Sequence, residues 1–274
     1  TATEHWQNWS KSLPLSRAQI HTPEDVEALS TLVKSHSSGV RPVGSGHSWM
    51  PLVPSKTAIV KLDHFAGVGE IDAETQQAWL GAGGRLHDLS PALANEGYAF
   101  RNLGDIDVQT LAGATSTGTH GTGEALQALA AEIHGLRLVT GTGEHLEISA
   151  DENADWLDGG RVALGALGIL TEIKMQLVER FKLHRQVWPE SHKHTLENAE
   201  RYWRDNRNFE FFYIPFSDTN LLITHNATEE PNTPRNGDNS TSAVMQLKSL
   251  RDALKWCGPL RRWLLKRANF ERAN

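Results

Sequence analysis

The chain has 274 residues, 39% of them hydrophobic and 22% charged, which is typical of a globular protein that buries a sizeable core. No apolar run approaches the length of a membrane span, and the N-terminal residues show no signal-peptide pattern, so a cytoplasmic location is expected. The formal net charge of −6 argues against a nucleic-acid partner, because phosphate binding requires clustered Lys and Arg side chains.

Residues 1–180 show many short β-rich runs and few helices. The first helix is expected over residues 22–38, with Thr22 as its N-cap, Pro23 at the first helical position and Gly39 after its end. The other predicted elements are strands at 40–43, 57–62, 67–71 and 77–80, a helix at 86–95, a hairpin of strands 136–140 and 145–149, a helix at 154–166 and a strand at 169–178. This mixture predicts an α+β fold rather than a regular βαβ series.

A domain boundary is expected near residue 180, so that residues 181–274 begin a second domain. A helix around Tyr202 and Trp203 is followed by two predicted strands, at 209–216 and 220–225. Residues 227–243 contain almost no apolar side chain and predict a mobile loop. A further helix is expected over residues 244–256.

The most informative stretch is residues 41–49, which follow a predicted strand and contain Gly-Ser-Gly-His. Gly44 and Gly46 let the backbone turn sharply and bring its N–H groups close to an anion. A plain turn is the alternative interpretation of these glycines. A turn does not require His47, however, and an imidazole beside a cofactor can act as nucleophile, ligand or acid-base group.

A second segment, residues 102–123, consists almost entirely of Gly, Ala, Ser and Thr from Gly113 onward. Closely spaced amides and hydroxyls of this kind suit the binding of a pyrophosphate or a ring edge. A low-complexity linker is the alternative, but apolar residues on both sides indicate an ordered setting. The chain has no P-loop motif, and residues 81–84 lack the third glycine of the Rossmann fingerprint. These features predict a phosphate-rich cofactor on a non-Rossmann scaffold.

Four ordered motifs resemble the FAD-binding domain of the aldonolactone oxidoreductases, a family of the vanillyl-alcohol-oxidase-type flavoproteins. They are Gly-Ser-Gly-His-Ser at 44–48, Asn-Leu-Gly at 102–104, Thr-Gly-Thr-His-Gly-Thr-Gly at 117–123 and Leu-Gly-Ala-Leu-Gly-Ile-Leu-Thr at 164–171. Residues 6–10 resemble the usual start of the family, and residues 211–220 are similar to its substrate domain. The resemblance implies a two-subdomain FAD-binding fold over residues 1–180 and the beginning of an α+β substrate domain over residues 181–274.

The resemblance also implies that FAD is the cofactor, bound covalently through a ring nitrogen of His47 to the flavin 8α-methyl group; a non-covalent flavin beside His47 is the alternative. Such a bond should raise the reduction potential of the flavin. The expected FAD-binding residues are Pro42, Val43, Gly44, Ser45, Gly46, His47, Ser48, Gly104, Asp105, Thr110, Gly113, Thr117, Gly118, Thr119, His120, Gly121 and Ile169. No metal site is expected.

Three of these positions have individual interpretations. Gly104 stands where larger residues in relatives hinder the approach of oxygen to the flavin, so glycine is compatible with oxidase activity. Asp105 departs from the small or neutral residues that are usual there. For His120, a structural hydrogen bond is favoured over a catalytic role.

The reaction implied by the resemblance is oxidation of a sugar lactone or polyol, with hydride passing from an alcohol carbon to flavin N5 and electrons passing to O2 or another acceptor. An alditol or oligosaccharide oxidase, and a non-catalytic FAD-binding fragment or subunit, remain as alternatives. The His-Trp-x-Lys motif and the acidic/Arg pair of the family's substrate domain do not occur in this chain, so no catalytic acid or base is assigned. Glu210 and His225 are interpreted as ordinary polar strand residues. Without an initiator Met, and ending within a helical pattern, the chain is expected to be processed or truncated. The remaining part is expected either to lie on a second chain, which would then be a partner, or to have been lost.

Overall fold

The computed structural model describes residues 5–53, 58–214 and 218–233, together with residues 249, 252–253, 256–260 and 263. Within these residues the helices are α1 Val26–Ser35, α2 Leu86–Asn95, α3 Leu111–Ser116, α4 Leu157–Gly160 and α5 His192–Asp205. The strands are β1 Gln19–His21, β2 Val40–Val43, β3 Ala58–Lys61, β4 Val68–Asp72, β5 Gln77–Gly81, β6 Tyr98–Ala99, β7 Ile133–Val139, β8 His145–Ser149, β9 Ile169–Gln176, β10 Val178–Glu179, β11 Leu183–Ser191, β12 Asn208–Ile214 and β13 Thr219–Ala227. Helices and mainly antiparallel strands that follow one another irregularly confirm the α+β class.

The chain divides into two compact units. The first consists of Thr1–Gly121 and Leu126–Arg180, and the second of Thr122–Ala125 and Phe181–Asn274. The main division therefore falls between Arg180 and Phe181. No helix in the described part of the chain is long and apolar enough to cross a membrane.

Two sheets form the framework of the first unit. In the smaller one β3 lies between β1 and β2, all three strands are parallel, and Ala58, Ile59 and Val60 of β3 are fully buried. A run of consecutive apolar residues fits a central strand that is covered on both faces. The larger sheet has the order β4-β5-β9-β7-β8, and the largest core cluster unites its inner face with residues of α2 and α3 such as Leu86 and Leu111.

The first helix is shorter than the predicted range of 22–38. It begins after Asp25, whose carboxylate accepts a hydrogen bond from the N–H of Ala28 at 2.7 Å, so the prediction of Thr22 as N-cap was wrong. A carboxylate caps at least as well as a hydroxyl and also interacts favourably with the positive end of the helix. The helix ends at Ser35, and Gly39 with a φ of +92° follows it. The second helix, α2, has the predicted bounds.

The predicted helix over residues 154–166 is wrong for most of its length. The segment forms only a short 3-10 turn at Ala154–Trp156 and the four-residue helix α4. Gly159 and Gly160 favour helix poorly, and Leu164 and Gly165 have φ values of 52° and 80°, which a right-handed helix cannot contain. Residues 161–168 therefore form a loop that leads into β9.

The hairpin and the strand on either side of this loop are confirmed. β7 and β8 pair in the antiparallel register expected for a hairpin, and Gly143 has a φ of +79° in its turn. β9 alternates strictly, with Ile169, Thr171, Ile173 and Met175 buried. Leu170 lies on the opposite face of the strand.

The second unit contains one antiparallel sheet in which β13 lies between β11 and β12. The predicted strands at 209–216 and 220–225, which contain Glu210 and His225, are confirmed as β12 and β13, whereas β11 was not predicted. The helix α5 begins after Ser191, and the hydroxyls of Thr195 and Tyr202 on this helix both donate to the carboxylate of Glu190 at 3.1 and 2.8 Å. Most of the loop predicted at 227–243 and of the helix predicted at 244–256 lies outside the described residues.

Candidate functional site

Loops of the first unit surround a cavity of about 150 Å³. Three segments supply most of its wall: residues 41–48 at the end of β2, residues 109–117 around α3, and residues 164–170 at the start of β9. Leu52, Val53, Leu62 and Gly83 complete the lining. The folded chain thus brings together three of the motifs that are far apart in the sequence.

The loop that follows β2 supplies unused hydrogen-bond donors. Among the described residues, the backbone N–H groups of residues 44–48 make no hydrogen bond to another protein group. Gly46 has a φ of +71°, a conformation that glycine adopts without strain and that turns the backbone back on itself. A set of consecutive free N–H groups in a turned loop forms a concave site that favours an anion.

The loop also lies unusually close to the start of α3. A methyl group on Gly44 would lie 2.3 Å from Oγ1 of Thr110, so a larger side chain at this position requires Thr110 to move. The hydroxyl of Ser45 donates a hydrogen bond to the carbonyl oxygen of Val108 and ties the two segments together. Thr110 in turn caps α3, because its hydroxyl accepts from the N–H of Gly113 at 3.2 Å.

The Gly/Ala/Ser/Thr run after Thr110 is ordered, so the linker interpretation is wrong. Its first part forms α3, in which Leu111, Ala114 and Thr115 are buried. The N–H groups that begin this helix are already used, since Leu111 and Ala112 donate to the carbonyls of Gly84 and Ala82 at 2.8 and 2.9 Å. The unused N–H groups of the cavity wall therefore belong to residues 44–48 and not to the first residues of the helix.

His47 is held by the N-terminal segment of the chain. The ring of Trp9 stacks on its imidazole, with ring centroids 5.0 Å apart and planes inclined by 16°. The N–H of Trp9 donates to the carbonyl of Gly46 at 2.9 Å, and the side-chain amide of Asn8 donates to the carbonyl of Ser48 at 3.2 Å. Burial lowers the pKa of His47 below its ordinary value of 6.5, so the uncharged imidazole, which has a free electron pair on one ring nitrogen, prevails at neutral pH.

The third segment closes the cavity with small and apolar groups. Gly165 and Gly168 have φ values of 80° and 144°, and a methyl group on Gly168 would lie 2.3 Å from the carbonyl oxygen of Val139. This backbone places Leu164 and Leu170 in the cavity wall. Ile169, between them, turns its side chain into a core cluster with Leu29 and Val139.

Ten of the seventeen predicted cofactor-binding residues line the cavity: Pro42, Val43, Gly44, Ser45, Gly46, His47, Ser48, Thr110, Gly113 and Thr117. Six of the others lie elsewhere in the segment 102–123, and the side chain of Ile169 lies in a core cluster. Gly121 lies against residues 102–103, since a methyl group there would be 2.3 Å from the carbonyl oxygen of Leu103. The ring of exposed His120 hydrogen-bonds to the carbonyl of Gly121 at 2.9 Å. Thr119 is bound by Gln109, and Asp105 is exposed. Their contacts with a cofactor stay predictions.

Several lining residues were not predicted. Among the described lining residues, Arg41 has the one formally charged side chain. It begins the most informative motif and could have been identified from that position. Gln109, Ala112, Ser116 and Gly165 lie inside or beside the motifs already recognised. Leu62 and Gly83 carry no sequence signal, because their place in the wall depends on the close approach of two loops: a methyl group on Gly83 would lie 1.9 Å from the carbonyl oxygen of Leu62. No group of three or more His, Cys, Asp or Glu side chains in the described part of the chain is arranged to hold a metal ion.

Comparison with known proteins identifies two regions. Residues 14–149 match the family model described as FAD binding domain, and residues 173–272 match the model described as D-arabinono-1,4-lactone oxidase. Cholesterol oxidase from Brevibacterium sterolicum superposes with a TM-score of 0.76 at 17% identity, covering 96% of this chain and 57% of that one. That similarity shows the fold alone, a vanillyl-alcohol-oxidase-type FAD-binding fold.

Curated relatives are lactone oxidoreductases. L-gulono-1,4-lactone dehydrogenase of Mycobacterium tuberculosis is 36% identical over 230 residues, which are 82% of this chain and 53% of that protein. L-gulonolactone oxidase of Bos taurus is 30% identical over 82% of this chain and 52% of its own length. The mitochondrial L-galactono-1,4-lactone dehydrogenase of Brassica oleracea is 30% identical over 80% of this chain and 37% of its own length. The chain thus spans about half the length, or less, of these relatives. By these matches and its fold, the chain belongs to the aldonolactone oxidoreductase family and contains that family's FAD-binding domain.

Proposed function

We propose that this chain is the FAD-binding part of an enzyme that oxidises a sugar lactone, with its first unit holding FAD and its second unit beginning the substrate domain. The observation that carries the proposal is the row of free N–H groups at residues 44–48, all of which line one cavity together with the His47 side chain. These residues belong to the region that matches the FAD-binding family model.

The donor groups of the cavity suit the pyrophosphate of FAD. Backbone N–H groups of residues 44–48 would donate to its oxygens, and the guanidinium of Arg41 would offset part of its negative charge. The walls formed by Val43, Leu62 and Leu170 would lie against the uncharged parts of the cofactor. The cavity is small for so long a molecule and would enclose only part of it.

His47 has the properties required of an attachment point. Its imidazole is partly buried and uncharged at neutral pH, and it lies in the cavity wall within the row of free N–H groups. We propose that one ring nitrogen bonds to the flavin 8α-methyl carbon; the carbon and the nitrogen each lose a proton, and the two electrons released pass through the flavin to O2 or another acceptor. Bound FAD would supply an acceptor for hydride, and the residues of this chain would hold and orient it.

The substrate class and the electron acceptor are supported by the activities for which the relatives are named. Both dehydrogenases and oxidases of lactones occur among them, so the proposal includes O2 or another acceptor. No residue of the described part is assigned as catalytic acid or base.

The test is an absorbance spectrum of the purified chain before and after acid precipitation, combined with the intact mass of the pellet. A yellow pellet whose mass is increased by one FAD, and the loss of this increase in His47→Ala, would support the covalent site. Anaerobic addition of L-gulono-1,4-lactone should then bleach the flavin absorbance, whereas an alditol such as xylitol should not.

Each part of the proposal has its own contrary result. Colour that passes entirely into the acid supernatant would leave FAD binding intact and refute the attachment at His47. A colourless chain that cannot be reconstituted with FAD would refute the assignment of the cavity. Bleaching by the alditol and not by the lactone would shift the substrate class.

A further inference from the structure

We propose that Trp9 is a positioning residue, which fixes the plane of the His47 imidazole for attachment to the flavin. The inference rests on the proposed bond between His47 and FAD. It goes further in assigning a role to the N-terminal segment, which forms no part of the cavity wall.

The two rings form an offset stack. Their centroids lie 5.0 Å apart and their planes are inclined by only 16°, which is within the range of favourable aromatic pairs. An imidazole in contact with an indole face cannot rotate freely about its Cβ–Cγ bond. The stack therefore restricts the direction in which the ring nitrogens point.

Hydrogen bonds on both sides hold the backbone segment that carries the indole. The backbone N–H of Trp9 donates to the carbonyl of Gly46, directly before His47 in the sequence. The buried side chain of Asn8 donates to the carbonyl of Ser48, directly after His47, and accepts from the N–H of Leu13 at 3.1 Å. The backbone that carries Trp9 and the backbone that carries His47 are thus joined before and after the stacked pair.

Burial does not explain why Trp9 adopts this place. Its side chain is 65% exposed, whereas the neighbouring Trp6 is 8% exposed and packs in a core cluster with Val43 and Ile59. Among the described residues, the ring of Trp9 pairs with one aromatic ring, the imidazole of His47. The indole also covers one face of an imidazole whose pKa burial holds low.

The experiment measures the rate of covalent FAD incorporation into the apo chain for wild type and for Trp9→Ala, Trp9→Leu and Trp9→Phe. Acid-precipitated samples taken over time are analysed by intact mass, and free FAD is kept saturating. The free energy of an aromatic stack of this kind corresponds to a roughly two- to tenfold slower incorporation when the stack is lost. We expect that slowing in Trp9→Ala and in Trp9→Leu, which keeps apolar bulk without a flat ring, and near wild-type rates in Trp9→Phe.

Trp49→Ala is the matched control. Trp49 lies two residues after His47, is 66% exposed, and stacks on no ring among the described residues. Its removal should leave the rate of incorporation unchanged. His47→Ala should incorporate no FAD covalently and defines the background.

A second readout needs no flavin. A protonated imidazole quenches the fluorescence of an indole in contact with it, so the emission difference between apo wild type and apo Trp9→Phe should fall as the pH drops through the pKa of His47. The same difference measured in the background of His47→Gln should not depend on pH in this way. This measurement reports on the stack alone.

The outcomes separate the two proposals. If wild type and Trp9→Leu incorporate FAD at equal rates while His47→Ala incorporates none, the role of Trp9 is overturned and the attachment at His47 stands. A Trp9-dependent emission that ignores pH would likewise overturn the stack. If wild type binds FAD only non-covalently, the attachment falls and the role of Trp9 falls with it.

Discussion

Replacing Gly44 by alanine tests whether the close approach of residue 44 to Thr110 shapes the cavity. The added methyl group would lie 2.3 Å from Oγ1 of Thr110 but 3.4 Å or more from its carbon atoms. Gly44 is outside the left-handed region, so the substitution introduces a contact and no backbone strain. The hydroxyl of Thr110 must rotate away, and it then loses the hydrogen bond that it accepts from Gly113.

The magnitude follows from these two effects. Loss of an N-cap costs about 1 kcal/mol, and crowding of a packed site costs roughly another 1 kcal/mol. We therefore expect Gly44→Ala to lower the free energy of unfolding by about 2 kcal/mol, and Thr110→Ala, which loses only the cap, by about 1 kcal/mol. In the double variant the clash has no partner, so the total should stay near 1 kcal/mol instead of reaching 3, a coupling of roughly 2 kcal/mol.

The assay is urea unfolding of the apo chain, followed by circular dichroism, for the four members of this double-mutant cycle. Gly141→Ala is the control, because Gly141 has nothing within 4 Å of the added methyl group. It should be neutral or slightly stabilising, by about 0.5 kcal/mol, through the unfolded state. Additive effects of Gly44→Ala and Thr110→Ala, or a Gly44→Ala variant as stable as Gly141→Ala, would refute the proposed contact.

Three further predictions concern the framework around the site. Burial and the nearby charge of His36 lower the pKa of His21 below 6.5, so the unfolded chain binds more protons than the folded chain. The free energy of unfolding should therefore fall as the pH drops through about 6.5. In unfolding curves measured between about pH 5 and 8, His21→Gln should flatten this dependence. Arg137 lies 4.0 Å above the ring of Trp79 and bonds to two carboxylates, and its side chain is 41% exposed. Arg137→Lys should therefore lower the free energy of unfolding by at most about 1 kcal/mol. The part of this decrease that comes from the lost contact with the Trp79 ring should persist when unfolding is measured at high salt. Gly168→Ala must both leave a φ of 144° and clear a carbonyl oxygen at 2.3 Å, so soluble expression should fall sharply, in contrast to Gly141→Ala.

Local signals predicted the elements whose stability is itself local. The helix α2 has its apolar spacing and its C-terminal Gly97, and the hairpin of β7 and β8 has its glycine-containing turn, so both were predicted closely. The helix expected at 154–166 does not form over most of its length because four glycines lie in and just beyond the segment. The strand β11 was missed because Pro189 and its charged neighbours obscure the pattern, while its nine-residue pairing with β13 is made across the fold.

The site shows the same division. The Gly-Ser-Gly-His motif and the Gly/Ser/Thr run predicted a phosphate-rich cofactor, and the family resemblance predicted ten of the residues that line the cavity. The sequence did not show that the first N–H groups of α3 are bonded to the carbonyls of Gly84 and Ala82, whereas those of residues 44–48 are unused. Nor did the sequence connect Trp9 with His47. The two residues are 38 positions apart, and their rings come together because hydrogen bonds to backbone carbonyls hold the N-terminal segment against residues 46–48.

The sequence by itself determined the α+β class, the family and the residue types that a dinucleotide requires, because these depend on local propensity and on short motifs. Only the tertiary structure decided which donors remain free, which loop glycines are obligatory and which ring holds His47. Those properties depend on distances of a few ångströms between segments far apart in the chain, and such distances are set when the sheets and helices pack together.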